Sequence, residues 1–199
     1  QGITVITKKF SAVVNPNVVS EPIPVGLLDG INYNTADATK ATLVLDAPFK
    51  DFIYVAGSFN NWQPTASFAM KKDPASGKFW LELTGLVSGT NYTYQYWVVD
   101  ATPIAGTPSL VKTADPYSTL VLSPDDDPFI PATSYANLPL YPAGQQREVT
   151  VLQTGKTPYA WSSATTNFVK PAKENLVVYE LLVRDFDANR SYQDLITKI

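Results

Sequence analysis

Between residues 30 and 122 the sequence breaks into short runs of β-branched and aromatic residues that alternate in polarity and end in turn-forming residues. The clearest runs are 41–47, 51–58, 79–84, 91–100 and 117–122. Successive side chains of a strand point to opposite faces, so alternation of this kind suits a pleated surface buried on one side. In 79–84, Phe79, Leu81 and Leu83 fall on one face, with Trp80 and Glu82 on the other. In 91–100, Tyr94, Tyr96 and Val98 oppose Thr93, Gln95 and Trp97. Asp73-Pro74-Ala75-Ser76-Gly77 puts proline where φ of about −65° is wanted and glycine where φ turns positive. Several short strands at this spacing predict a mainly β chain, a two-sheet sandwich of immunoglobulin-like architecture.

The flanks read differently. Residues 1–24 hold one β-like run, 3–5, and a stretch ending Pro22-Ile23-Pro24, and are expected to form a lead-in segment or the tail of a preceding module. The sandwich is assigned to 25–123. Residues 124–172 carry seven of the sixteen prolines: Pro124, Pro128, Pro131, Pro139, Pro142, Pro158 and Pro171. A structureless connection this long is uncommon in a compact domain. It is therefore expected to wrap along a neighbour as a proline-rich connector, pinned by Phe129, Tyr135, Tyr141, Tyr159, Trp161 and Phe168 and interrupted by one short strand at 148–152.

The final segment, 173–199, is the most telling. Leu176-Val177-Val178-Tyr179-Glu180-Leu181-Leu182-Val183 is a nearly continuous apolar run, the pattern of a parallel strand buried on both faces. After the loop 184–190, Ser191 is suited to cap a helix, and acidic Asp194 sits three residues on. Tyr192, Leu195, Ile196 and Ile199 then share one helical face. A strand feeding a helix is half of a βαβ unit, and its partner strand is missing from the sequence. Gln1 opens the chain and Met70 is its sole methionine, so the sequence is expected to be a piece of a longer protein.

Composition removes several functions. Net charge is −3, and the only adjacent basic pairs are Lys8-Lys9 and Lys71-Lys72. A nucleic-acid partner needs a clustered basic face to neutralise phosphates, so none is expected. Cysteine and histidine are absent, which excludes zinc sites built on sulfur or nitrogen and any triad using either residue. No apolar run reaches the length that spans a bilayer. The many prolines and a charged fraction of only 17% fit an extracellular-type β protein with ordered loops.

Three stretches together resemble known carbohydrate-active proteins. Ile53-Tyr54-Val55-Ala56-Gly57-Ser58-Phe59-Asn60-Asn61-Trp62 resembles the strand-turn signature of carbohydrate-binding module family 48, which groups glycogen-binding domains with the N-terminal (E-set) sandwiches of isoamylases and branching enzymes. Asn91-Tyr92-Thr93-Tyr94-Gln95-Tyr96-Trp97, followed by Ala114-Asp115-Pro116-Tyr117-Ser118, is similar to the later part of that module. Asn175 through Phe186 resembles the first barrel strand of glycoside hydrolase family 13. Within the connector, Val151-Leu152-Gln153-Thr154 and Pro158-Tyr159-Ala160-Trp161 are similar to α-amylases of the Bacteroidetes.

The resemblance spans roughly residues 25 to 199 and implies an E-set sandwich, a connector and then the first strand-helix piece of a (β/α)8 barrel. It implies a parent that is secreted, periplasmic or on a bacterial cell surface. Retaining enzymes of that family use two carboxyl groups about 5 Å apart. In the family these lie on later barrel strands, so the sequence offers no catalytic residue, and calcium is a matter for the parent enzyme. The leading expectation is a non-catalytic N-terminal portion of an α-glucan-active hydrolase, partnered by the rest of its barrel. The alternatives are an autonomous starch- or glycogen-binding module and a structural sandwich that forms a homodimer through the tail.

Glycogen-binding members of the module family stack a tryptophan equivalent to Trp62 on a glucose ring, aided by a lysine and a second tryptophan. An aromatic plate suits the C–H face of a sugar. The lysine position aligns with Gln95, and no tryptophan lies between Asp100 and Asp115. Trp62 and Gln95, with Trp97 and Trp80, are the candidate carbohydrate-binding residues. Against this stands burial, the commoner fate of tryptophan. Asp125-Asp126-Asp127 reads as a solvated loop rather than a calcium site, since three consecutive residues rarely converge on one ion. Glu180, Asp185 and Asp187 read as structural. The triplets Asn91-Tyr92-Thr93 and Asn189-Arg190-Ser191 fit glycosylation by chance.

Overall fold

The computed structural model describes residues 13–188 and 191–198. The β-like run at 3–5, residues 189–190 of the second glycosylation triplet, and Ile199 of the helical face lie outside the described residues.

Among the described residues nine strands form: β1 (Gly30–Tyr33), β2 (Ala41–Leu45), β3 (Phe52–Gly57), β4 (Lys71–Lys72), β5 (Phe79–Leu83), β6 (Tyr92–Val99), β7 (Leu110–Thr113), β8 (Val121–Leu122) and β9 (Val149–Leu152). They make two antiparallel sheets. One has the order β1-β2-β5-β4; the other runs β3-β6-β9-β8, with β7 also on β6. The runs 41–47, 51–58, 79–84 and 91–100 become β2, β3, β5 and β6. The run 117–122 shortens to β8, because Asp115 draws residues 115–118 into a turn closed by Ser118 N–H on its carbonyl. The turn at 73–77 closes as expected: Asp73 Oδ2 accepts from Ser76 N at 2.7 Å, and Gly77 takes a φ of 76°.

The inner faces of the sheets meet in one apolar core. Leu43 and Leu45 of β2 and Phe79, Leu81 and Leu83 of β5 face Ile53 and Val55 of β3, Tyr94 and Tyr96 of β6, and Leu152 of β9. Each such side chain contributes roughly 1.5–3 kcal/mol by leaving water. The strand expected at 148–152 forms as β9 and belongs to the sheet itself, beside β6. β6 is the hub. One edge pairs with β3 over Tyr94–Val99, and the other is divided, Tyr92–Tyr94 taking β9 and Tyr96–Val99 taking β7.

A carboxylate is buried beside this core. Asp115 is 2% exposed, and its Oδ2 accepts from the hydroxyls of Tyr94 at 2.8 Å and Tyr96 at 2.9 Å. Its Oδ1 accepts from Tyr117 N, and its own N–H donates to Thr150 Oγ1 on β9. A buried polar group must be hydrogen-bonded or it costs its full desolvation. Here both carboxylate oxygens have partners. Burial first holds both phenols well above their ordinary 10.0; next come the neighbouring Tyr96 and then Asp115 for Tyr94, and the negative charge of Asp115 for Tyr96.

The connector departs from expectation. Tyr141 packs with Leu138 over Leu122, Val149 and Val151. Phe129, Phe168, Tyr159 and Trp161 are instead exposed, the last two edge-on to each other at 4.9 Å. Further on lie three short helices, α1 (Ser163–Thr166), α2 (Val183–Phe186) and α3 (Tyr192–Leu195). Ser191 Oγ accepts Asp194 N, the expected cap, but only Leu195 of the expected apolar face is buried, while Tyr192 and Ile196 stay in solvent. Residues 176–182 form no strand, and Val177, Val178 and Tyr179 are 97%, 84% and 73% exposed. A strand exists only against another strand, and no sheet edge among the described residues takes this run up. No described helix is long and apolar enough to cross a membrane.

Replacing Asp115 by alanine orphans the hydroxyls of Tyr94 and Tyr96 together. The expected loss is about 3 kcal/mol or more, read as a lower urea midpoint. The raised phenols set a second expectation. A pKa raised on folding adds stability that is whole below the unfolded value and is lost as pH climbs through the folded one. Phenolate absorbance of Tyr94 and Tyr96 should therefore appear only together with alkaline unfolding, above the ordinary tyrosine range, and Tyr96→Phe should weaken that alkaline transition.

Candidate functional site

The segment Gly57-Ser58-Phe59-Asn60-Asn61-Trp62 leaves β3 and folds back across the end of β6. Gly57 is required by space, because a Cβ there would lie 2.6 Å from Thr93 O and 2.8 Å from Tyr94 Cβ. Ser58 Oγ accepts from Thr93 N, and Phe59 stacks on Phe68 with ring centroids 5.6 Å apart. Asn60 closes the turn on both sides, its Oδ1 accepting from Gly57 N and its Nδ2 donating to Val55 O. Asn61 and Trp62 then adopt positive φ, 51° and 58°, and Trp62 N–H returns to Gly57 O at 2.9 Å. Asparagine tolerates that conformation readily; a bulky side chain does so only when its surroundings hold it.

Packing is what holds it. Trp62 is half-buried on the outer face of the β3-β6 sheet and touches two apolar clusters. One is Phe52, Tyr54, Ala56, Trp97 and Val99; the other is Leu122, Val149 and Val151. This outer face is therefore covered rather than open to solvent. Val13 and Leu110 pack over it, and Tyr54 donates its hydroxyl to Val14 O at 2.8 Å.

Gln95 and Trp97 lie on the same face as Trp62. Gln95 is wholly buried at the point where the divided edge of β6 passes from β9 to β7. Its Nε2 donates to Gln146 O at 2.8 Å and to Glu148 O at 2.9 Å, holding the chain as it enters β9. With no exposed surface, its amide has nothing to present to a sugar. Trp97 is buried beneath Lys112, whose ammonium sits 3.8 Å from the ring centroid. Burial lowers the Lys112 pKa, so its charge leans on the indole face in place of water. Trp80 stands apart on the outer face of the other sheet, buried, donating its indole N–H to Glu21 O at 2.9 Å beneath Lys71. Of the four candidates, Trp62, Gln95 and Trp97 share one face and Trp80 does not.

The acidic residues are engaged locally. Asp127 Oδ1 accepts Ser123 N, and Ser123 Oγ accepts the N–H groups of Asp125 and Asp126. Arg184 pairs with Asp185, and Lys198 with Asp187 and Asp194. Among the described residues no group of three or more acidic side chains could hold a metal ion. The Asp115–Tyr94–Tyr96 cluster escaped a residue-by-residue reading. Its one signal was an acidic residue opening a turn between two apolar runs.

No family model and no curated protein matches this sequence. Among solved structures, apo pullulanase from Klebsiella pneumoniae aligns at 22% identity over 49% of this chain and 10% of that one, with a TM-score of 0.38. Klebsiella pneumoniae pullulanase complexed with maltotriose aligns at 21% identity over 49% and 9%, with the same score of 0.38. This chain thus spans about a tenth of the length of those structures. Similarity at that level fixes neither fold nor activity.

The packing of Trp62 has a measurable consequence. Trp62→Ala should lower the unfolding free energy by about 2 kcal/mol, below the cost of a fully buried tryptophan because the ring is only half-covered. A purely sugar-facing ring would leave the urea midpoint in place and change only migration through a glycogen-containing native gel.

Proposed function

We propose that this chain is the N-terminal, non-catalytic portion of an α-amylase-like glycoside hydrolase acting on α-glucans. In this reading the sandwich is of the immunoglobulin-like E-set type and takes in β9. The residues after it form the link, the segment from 173 on begins the catalytic barrel, and the parent works outside the bacterial cytoplasm. The sandwich supports the barrel and supplies none of its acids.

The observation that carries this reading is the apolar run at 176–182. It has the composition of a strand buried on both faces, yet most of its side chains stand in solvent. An apolar ribbon of that kind is an interaction surface. Its likeness to the first strand of a family 13 barrel, and the likeness of the Gly57–Trp62 turn to that family's sandwiches, name the structure that would cover it. A glycine with no room for a Cβ and an asparagine bonded to both sides of its turn account physically for the residue types of that turn.

Purified chain incubated with soluble starch should release no reducing ends above the blank, and release would overturn the non-catalytic role. The reading also requires that coding sequence downstream of Ile199 continue in alternating strands and helices with an Asp and a Glu at later strand ends. An unrelated module there would overturn it. In the chain as it stands, Val178→Asp should shift stability by less than about 0.5 kcal/mol, since the side chain touches no core.

A further inference from the structure

A second concavity, remote in sequence from Trp62, has a chemistry of its own. It encloses about 250 Å³ between the end of β1, the start of β6, the β8–β9 region and the connector. Its lining includes Leu120 and the buried Val151, which give it an apolar base. Tyr33 and Tyr135 line it as well, 44% and 43% exposed, so each ring keeps surface for a ligand. The volume lies just below the range of roughly 300–1,000 Å³ typical of drug-sized ligands, which suits one or two sugar rings.

The polar groups around it are neutral amides and hydroxyls, with a single cation and no carboxylate. The side chains of Asn91 and Asn137 form no hydrogen bond among the described residues, so each offers two donors and a carbonyl acceptor. Gln153 gives its Nε2 to Gly89 O at 2.7 Å, which leaves its Oε1 to accept. Tyr33 Oη accepts the Gln153 N–H at 3.4 Å, so the phenol keeps its proton to donate. Burial raises the Tyr33 pKa and keeps that proton in place. Lys156 lines the same concavity and is in no ion pair among the described residues.

An ionic ligand would want opposing charge and an aliphatic one would want dry walls. Aromatic faces beside unpaired amides match a ligand with C–H surfaces and many hydroxyls. We infer that the cleft between Tyr33 and Tyr135 binds a neutral oligosaccharide, and that on the function proposed above this is a short α-glucan. The pyranose face lies on the tyrosine rings, and its hydroxyls bond Asn91, Asn137 and Gln153. Trp62 plays no part in this site.

The test is calorimetric titration of the chain with maltoheptaose, and with cellohexaose as the β-linked comparison. Maltoheptaose should bind, and Tyr135→Ala should weaken it by about tenfold, the scale of one lost aromatic contact. Asn137→Ala removes an exposed amide with no structural bond; it should keep the wild-type urea midpoint and still lose affinity. Trp62→Ala should retain binding. Failure of wild type to bind either sugar overturns the cleft, as does binding that Trp62→Ala abolishes and Tyr135→Ala spares. Binding of cellohexaose alone, with the same variant pattern, overturns the α-glucan assignment. None of these outcomes touches the starch-hydrolysis and downstream-sequence tests, so the two readings fail separately.

Discussion

A carboxylate removed from water must have its oxygens bonded wherever it ends up, and in this molecule Asp115 is where three parts of the chain meet that demand. Tyr94 and Tyr96 come from the hub strand, Thr150 from β9, and the backbone N–H of Tyr117 from the turn between β7 and β8. Withdrawing Thr150 or the Tyr117 N–H leaves a buried group of Asp115 unpaired, and withdrawing the Asp115 carboxylate strips both phenols at once. Net hydrogen-bond energies are small, about 1 kcal/mol each, but the cost of an orphaned member is several times larger. The cluster therefore acts less as an added attraction than as a condition on register. β9 joins β6 across the 49 residues between Val99 and Val149, and hydrophobic pairing alone would tolerate a slip along β6. The bond from Asp115 N–H to Thr150 Oγ1 does not.

The hub strand explains why residues with the chemistry of a binding site end up in packing. β6 has both faces covered and three strand partners, so a polar side chain on it finds its partners inside the protein or goes without them. Gln95 bonds two carbonyls of the chain that enters β9 through its Nε2, while its buried Oε1 is left without a partner where β9 and β7 divide one edge. Trp97 has an ammonium over its ring, and its buried indole N–H has no acceptor. The outer face of this sheet is sealed by Val13, Val14, Trp62 and the connector around Leu138 and Tyr141. Sugar-binding capacity, if a sandwich of this construction has any, must move to where rings and amides remain exposed, which is the end carrying Tyr33 and Tyr135.

Local periodicity made β2, β3, β5 and β6 legible in the sequence, because each has an alternating face long enough to outweigh its neighbours. The turn at 73–77 was legible from Pro74 and Gly77 alone. β4 and β7 were not, and of the run expected at 117–122 only the two residues of β8 remain; such short strands exist only because a longer partner supplies the other half of their ladder. The short strand in the connector was visible as β-like, but nothing local to it specified membership of the sheet. That membership follows from Thr150 and the fully buried Leu152, whose partners lie far away in sequence. The burial of Gln95 was hidden for the same reason. A glutamine on the face opposite two tyrosines reads as solvent-facing until the cover over that face is known.

The two apolar signals in this sequence have opposite fates. In 52–57 and 92–99 both faces of the strand are occupied, the inner by the opposite sheet and the outer by its own flanking loops. In 176–182 most side chains stand in solvent and only Leu181 is partly covered, although the composition is at least as apolar. Hydrophobic content is thus not what decides burial. What decides it is whether the chain also supplies a hydrogen-bonding edge on each side, since a strand cannot leave water with its backbone unpaired. β3 has β6, and β6 has β3, β7 and β9. The run at 176–182 has none, so its side chains stay exposed however favourable their transfer would be, and the sandwich owes none of its core to them. A ribbon so free of its own domain is suited to join a sheet that supplies it an edge on each side.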